Sequence, residues 1–182
     1  SALLKSDVVS VDGGDDSEAA VEELLTAAGY ALESLEAMRA HEGEAMKTAL
    51  KVLIDELSQC ATLVESRAPE VEKDYRVKLT GRMKEILGDV PLDEEKLINE
   101  VAFFADKACI DEEITRLKAH IAHFNDVLKE NVPVGRKLDF LVQELNREAN
   151  TIGSKSNDIT LTGYVVKMKT IIEKLREQIQ NV

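Results

Sequence analysis

The chain has 182 residues and a formal charge of −12, and 44% of it is apolar, enough for one domain or two small helical layers. Glycine (9) and proline (3) are scarce, Trp is absent and aromatics make only 4%, so the core must be Leu, Ile, Val, Met and Ala in an all-α protein. No apolar run nears the roughly 20 residues of a membrane span, no charged-then-apolar leader opens the chain, and there is no CxxC metal motif; these point to a cytoplasmic protein with no membrane partner.

In chain order, residues 1–16 end in Asp12-Gly13-Gly14-Asp15-Asp16 and read as a flexible acidic linker from a preceding region. Ser17 is a candidate N-cap. Val21, Leu24, Ala28, Ala31, Leu35 and Met38 then recur at three and four, a heptad-like seam. Met38-Arg39-Ala40-His41-Glu42-Gly43 should interrupt or bend this helix. The two readings of the motif are a kink with Arg39 solvated and a close approach in which Arg39 contacts an anion.

Met46, Leu50, Leu53, Leu57, Cys60 and Val64 give a second seam, and Ala68-Pro69 marks a break. From Pro69 a helix runs to about Leu87 with Val71, Tyr75, Leu79, Met83 and Ile86 inward, stopped at Gly88. Residues 17–90 are therefore expected to form a long helical hairpin turning near 65–69, since each seam needs a partner. The 91–182 region follows. Leu92 to Ala108 reads as a short helix buried on more than one side, with Leu97, Ile98, Val101, Ala102 and Ala105 apolar. Asp111 should cap the next helix, whose core face is Ile114, Leu117, Ile121, Phe124 and Leu128. Both cysteines, Cys60 and Cys109, sit in apolar helical patterns and read as buried.

Residues 133–158 are the most informative. Leu138, Leu141, Val142, Leu145, Ala149 and Ile152 make one apolar stripe. Arg136, Phe140, Gln143, Arg147 and Asn150 make a second, whose planar polar groups suit paired hydrogen bonds. Gly153-Ser154-Lys155-Ser156 reads as a glycine stop whose backbone N–H groups could cup a phosphate. Leu161, Val165, Met168, Ile172, Leu175 and Ile179 form a last narrow seam, which points to pairing with another helix and to a homo-oligomer. The sum is an all-α bundle of about five or six long, antiparallel helices with coiled-coil-like seams. The charge is uneven. Residues 131–182 set eight Lys and Arg against six Asp and Glu, a net +2, which leaves −14 on residues 1–130. A polyanion would approach the C-terminal third.

The blocks Gly135-Arg136-Lys137-Leu138-Asp139-Phe140, Gln143 to Thr151 and Gly153-Ser154-Lys155 resemble the signature of the YicC-like endoribonuclease family. Met38 to Gly43, Ala105 to Leu117 and Leu175 to Asn181 resemble it as well. The resemblance implies phosphodiester cleavage in single-stranded RNA, not DNA, with Mn²⁺ or Mg²⁺. Such chemistry needs oxygen or imidazole ligands for the metal, a cationic clamp for the phosphate and a group that activates water or the 2′-hydroxyl. Asp111, Glu112, Glu113 and His120 are candidate metal ligands, and Glu113, His120, Glu144 and Glu148 are candidate catalytic groups. Glu113, Arg116 and His120 share one helical face, and His123 lies beside His120. Glu144 and Glu148, one turn apart, serve either as ligands or in a structural ion-pair network. Arg39, Arg136, Lys137, Arg147 and Lys155 are candidate phosphate contacts, with Glu42, Arg116, Gln143, Asn150 and Ser154 as a supporting polar network. Competing functions are a non-catalytic RNA-binding adaptor and a structural oligomerisation module.

Overall fold

The computed structural model describes residues 17–88, 93–130 and 132–180. They form five helices: α1 (Ser17–Leu87), α2 (Glu94–Ala108), α3 (Asp111–Val127), α4 (Gly135–Lys155) and α5 (Ile159–Gln180). No strand occurs among the described residues, so the all-α expectation holds. The linker expected at 1–16 lies outside them. Packing divides the chain into two units, Ser1–Ala45 and Met46–Val182.

In the first unit the helix is uninterrupted through Met38–Gly43, so the motif does not break it. Its seam is bare: Val21, Leu24, Leu35 and Met38 are all exposed, as are Leu25, Tyr30 and Leu32.

The second unit is a bundle with one apolar core. α1 contributes Leu50, Ile54, Leu57, Cys60, Ala61, Val64 and Val71, and α3 with its flanking Ile110 and Leu128, α4 and α5 contribute the rest. The helical hairpin expected around residues 65–69 does not form, because α1 runs straight through Pro69. A proline in a helix removes one backbone hydrogen bond at a cost of about 3 kcal/mol. Here Val64 and Val71, seven residues apart on one face, are both buried in the same core. Arg67 also donates to Asp74 (2.6 Å) across the proline. Breaking the helix would lose both. Gly88, with φ of +57°, ends α1, its N–H bonding the Lys84 carbonyl at 3.0 Å. A glycine takes this left-handed conformation without steric cost.

α2 starts at Asp93, whose carboxylate accepts the Lys96 N–H. It is buried on one side only. Leu97 and Val101 are covered, whereas Ile98 and Phe103 are each 56% exposed. Tyr75 of α1 stacks on Phe104 of α2 with ring centroids 3.7 Å apart. α3, α4 and α5 are sequential neighbours, α3 packing on α4 and α4 on α5. α3 carries no side-chain cap. Its N-cap is Ile110, which is buried, and Asp111 stands in the first turn instead. Favouring the helix dipole there needs only the charge, not a capping bond.

All six positions of the α5 seam, with Ile171, are buried inside this chain. The seam that pointed to self-association is thus satisfied within the bundle. Helix α4 continues past Gly153 to Lys155, so Gly153 is no stop. A Cβ there would lie 3.0 Å from Val165 Cγ1, which makes this glycine the point of close approach between α4 and α5. The N–H groups of 153–155 belong to the C-terminal turn of a helix, where they bond inward. They form no phosphate cup. Cys60 is buried as expected, and burial pushes its thiol up. Cys109 is exposed, because it is the extended residue that closes α2.

Candidate active site

α3 and α4 face each other through two stripes that spacing alone aligns. On α3 these are Glu113, Arg116 and His120; on α4 they are Lys155, Glu148 and Glu144, in the opposite chain direction. Beneath them lie Ile114, Leu117 and Ile121 from α3 and Leu141, Leu145, Ala149 and Ile152 from α4. That apolar floor draws two carboxylates out of water: Glu113 is 4% and Glu148 3% exposed. A buried carboxylate needs hydrogen-bonding or cationic partners.

Each has found part of its complement. Arg116 Nε donates to Glu148 Oε1 at 3.0 Å, its Nη2 pairs with Glu113 Oε1 at 3.3 Å, and its Nη1 reaches Glu112. Lys155 Nζ donates to Glu113 Oε1 and to the Cys109 carbonyl, both at 2.9 Å. Burial raises the Glu113 carboxyl, but the Lys155 hydrogen bond and the two nearby cations outweigh it and hold the group below its ordinary value. The hydrogen bond to Glu148 leads the effects that raise the Arg116 guanidinium. Two oxygens remain without a partner, Glu113 Oε2 and Glu148 Oε2. In native proteins such buried orphans are few and call for an explanation.

Glu148 has an evident one. His120, Glu144 and Glu148 each offer a donor atom, and these atoms lie within 4.8 Å of one another. One imidazole nitrogen and two carboxylates suit a divalent cation such as Mn²⁺. Glu112, Glu113, Glu144 and Glu148 face Arg116, Arg147 and Lys155 here, which leaves one negative charge in excess. The residues present therefore fit a cation.

The structure divides the sequence candidates. Glu113, His120, Glu144 and Glu148 come together, with Arg116 among them. Of the four metal candidates, His120 joins Glu144 and Glu148, Glu113 is engaged by Lys155 and Arg116, and Asp111 and Glu112 are exposed at the start of α3. His123 is exposed. Lys155 is turned inward as a strut. Lys137 pairs with Glu130 at 2.5 Å. Arg147, with its side chain 73% exposed, stands 3.7 Å from Glu144 at the rim of the cluster. Arg136, Phe140, Gln143 and Asn150 are exposed along the same helix, and Gln143 donates to Asp139 at 2.8 Å. Ser154 caps the Thr151 carbonyl at 2.9 Å. Arg39 and Glu42 are exposed in the first unit. The Cys109 carbonyl was not foreseen, because a backbone acceptor leaves no signal in residue type.

The family description "Endoribonuclease YicC-like, C-terminal" matches residues 64–182. The chain is 42% identical over 178 residues to the probable endoribonuclease YicC of Clostridioides difficile (strain 630), covering 97% of this chain and 61% of that protein. It is 37% identical over 166 residues to the probable endoribonuclease YicC of Haemophilus influenzae, covering 91% of this chain and 57% of that protein. The chain thus spans about three-fifths of the length of the curated relatives it matches. With the family match extending over well more than half of the sequence and including all of α2 to α5, the chain belongs to the YicC-like endoribonuclease family, in its C-terminal region.

Proposed function

We propose that this chain carries the cation site of a metal-dependent endoribonuclease that cleaves single-stranded RNA, with His120, Glu144 and Glu148 as ligands. The observation that carries the reading is the buried Glu148 carboxylate, whose Oε2 has no partner and one of whose oxygens lies within 4.8 Å of donor atoms of His120 and Glu144. A bound Mn²⁺ or Mg²⁺ supplies charge stabilisation at a phosphoryl oxygen. The chain's own side chains do the rest. Arg147, exposed at the rim and only loosely paired, neutralises the phosphate of the approaching strand. Phe140 is 59% exposed one turn before Glu144, where an unpaired base can stack on it. Stacking of this kind favours single strands over duplex.

The test is cleavage of a single-stranded RNA by this chain and by a full-length relative with the same residues, in Mn²⁺ and in chelator. Glu148→Gln and His120→Ala should each lower the rate more than about 100-fold, the upper end of what even supporting residues of metal sites contribute. Undiminished cleavage in chelator defeats the reading. A second role rests on a separate observation. The exposed Val21, Leu24, Leu35 and Met38 of α1 favour self-association through the first unit. Light scattering that shows a monomer over a wide concentration range removes that role.

A further inference from the structure

We propose that Arg116 is a positioning residue for Glu148, anchored in turn by Glu113 and Lys155, so that Lys155 governs the cation site without touching it. The inference rests on the cation reading above. A glutamate carboxylate turns easily about its last torsion, whose minimum is broad and two-fold. Left alone, Glu148 would present its two oxygens in many orientations. Arg116 removes that freedom by holding Oε1 with a single N–H at 3.0 Å. The other oxygen, Oε2, is left buried and unpartnered, and an oxygen of the same carboxylate lies within 4.8 Å of a donor atom of His120 and one of Glu144. A neighbour that fixes a ligand's plane in this way typically changes metal affinity by roughly 10–100-fold.

Arg116 is itself held. Its Nη2 meets Glu113 Oε1, and the same oxygen accepts from Lys155 Nζ at 2.9 Å. Lys155 also donates to the Cys109 carbonyl, which ties the last turn of α4 to the α2–α3 junction. The sequence leads from Lys155 to Glu113, then to Arg116, Glu148 and the cation. Each link as far as Glu148 is a charged hydrogen bond, and Glu113 and Glu148 lie out of water, where such bonds are strong. The planar guanidinium serves Glu112, Glu113 and Glu148 at once from a rigid fork of donors, a fixed geometry that an ammonium on its flexible stem lacks. The alternative is that the network only glues α3 to α4 and has no bearing on the cation.

Mn²⁺ binding to the full chain, measured by calorimetry and by electron paramagnetic resonance of the bound ion, separates the two. Arg116→Gln should weaken binding about 10–100-fold and alter the resonance line of the ion that still binds. Lys155→Met should weaken it in the same direction and to a smaller extent, and Lys155→Arg should restore it. The double variant should bind no worse than Arg116→Gln alone. Variants that melt at lower temperature but bind Mn²⁺ with unchanged affinity overturn the positioning role. If Arg116→Gln fails to fold, the Lys155→Met and Lys155→Arg pair decides on the same criteria. Wild-type binding no tighter than that of a His120→Ala, Glu144→Gln, Glu148→Gln variant overturns the cation reading itself.

Discussion

Arg67 and Asp158, 91 positions apart, are joined by two hydrogen bonds, Nε to Oδ1 at 3.1 Å and Nη2 to Oδ2 at 2.7 Å. The fork-on-carboxylate geometry fixes direction as well as distance. It clamps the α4–α5 turn to α1, two residues before the helix proline. Asp158 also accepts the Leu161 N–H at 2.8 Å and so starts α5.

The clamp gives a pH dependence. The Arg67 hydrogen bond leads the effects that hold the Asp158 carboxyl down at about 2, below its ordinary 3.8. A depressed carboxylate contributes stability that is complete above its unfolded value, near pH 4, and is lost as pH falls through its folded value, near pH 2. Both side chains are well covered, 24% and 14% exposed. We expect Asp158→Asn to destabilise the chain by about 1–2 kcal/mol at pH 7 and by much less at pH 2. Urea unfolding at the two pH values checks this, and an equal loss at both would contradict it.

Gly153 sets two known effects against each other. Alanine favours a helix by about 1 kcal/mol over glycine, but its Cβ would crowd buried Val165 at 3.0 Å. Overpacking typically costs about 1–3 kcal/mol. Gly153→Ala should therefore destabilise by about 1 kcal/mol, and adding it to Val165→Ala should stabilise. Thermal melts of the four proteins in this cycle measure both signs.

Lys155 and Arg147 should part company. Lys155→Ala leaves buried Glu113 with only the longer 3.3 Å contact to Arg116 and should lower stability by about 1–3 kcal/mol. Arg147→Ala, at an exposed rim position, should change stability by less than about 0.5 kcal/mol. RNA affinity should fall in Arg147→Ala, with the salt slope reduced by about 0.7 for one lost phosphate contact on a single strand. Melting curves and salt-dependent binding on the same two variants test the assignment. A stable Lys155→Ala, or an Arg147→Ala with unchanged RNA affinity, would refute the corresponding half.

Pro69 offers the fourth test. It is exposed within α1, so Pro69→Ala gains a helix hydrogen bond and loses some rigidity of the unfolded chain. A net stabilisation of about 1–2 kcal/mol is expected. Were the chain to turn at this point instead, the substitution would destabilise or lengthen a helix visible by circular dichroism.

The sequence by itself determined the helical class and the inward faces of α3, α4 and α5. Leu138, Leu141, Val142, Leu145, Ala149 and Ile152 are all buried as their spacing required, because one helix has one period and a single wet side. It also marked Glu113, Arg116, His120, Glu144, Glu148 and Lys155 by residue type. It placed the end of α1 at Leu87 and Gly88 but did not show that the helix is continuous through 65–69, because Pro69 weakens the helix locally while Val64, Arg67 and Val71 hold it through partners far along the chain. The roles within the candidate site were decided only in three dimensions. Lys155 and Arg147 are both cations on α4, yet one points to a buried carboxylate and the other to water. Which helix faces which, and in what direction, is set by the core beneath. That arrangement separates a strut from a contact and leaves the buried Glu148 carboxylate beside His120 and Glu144.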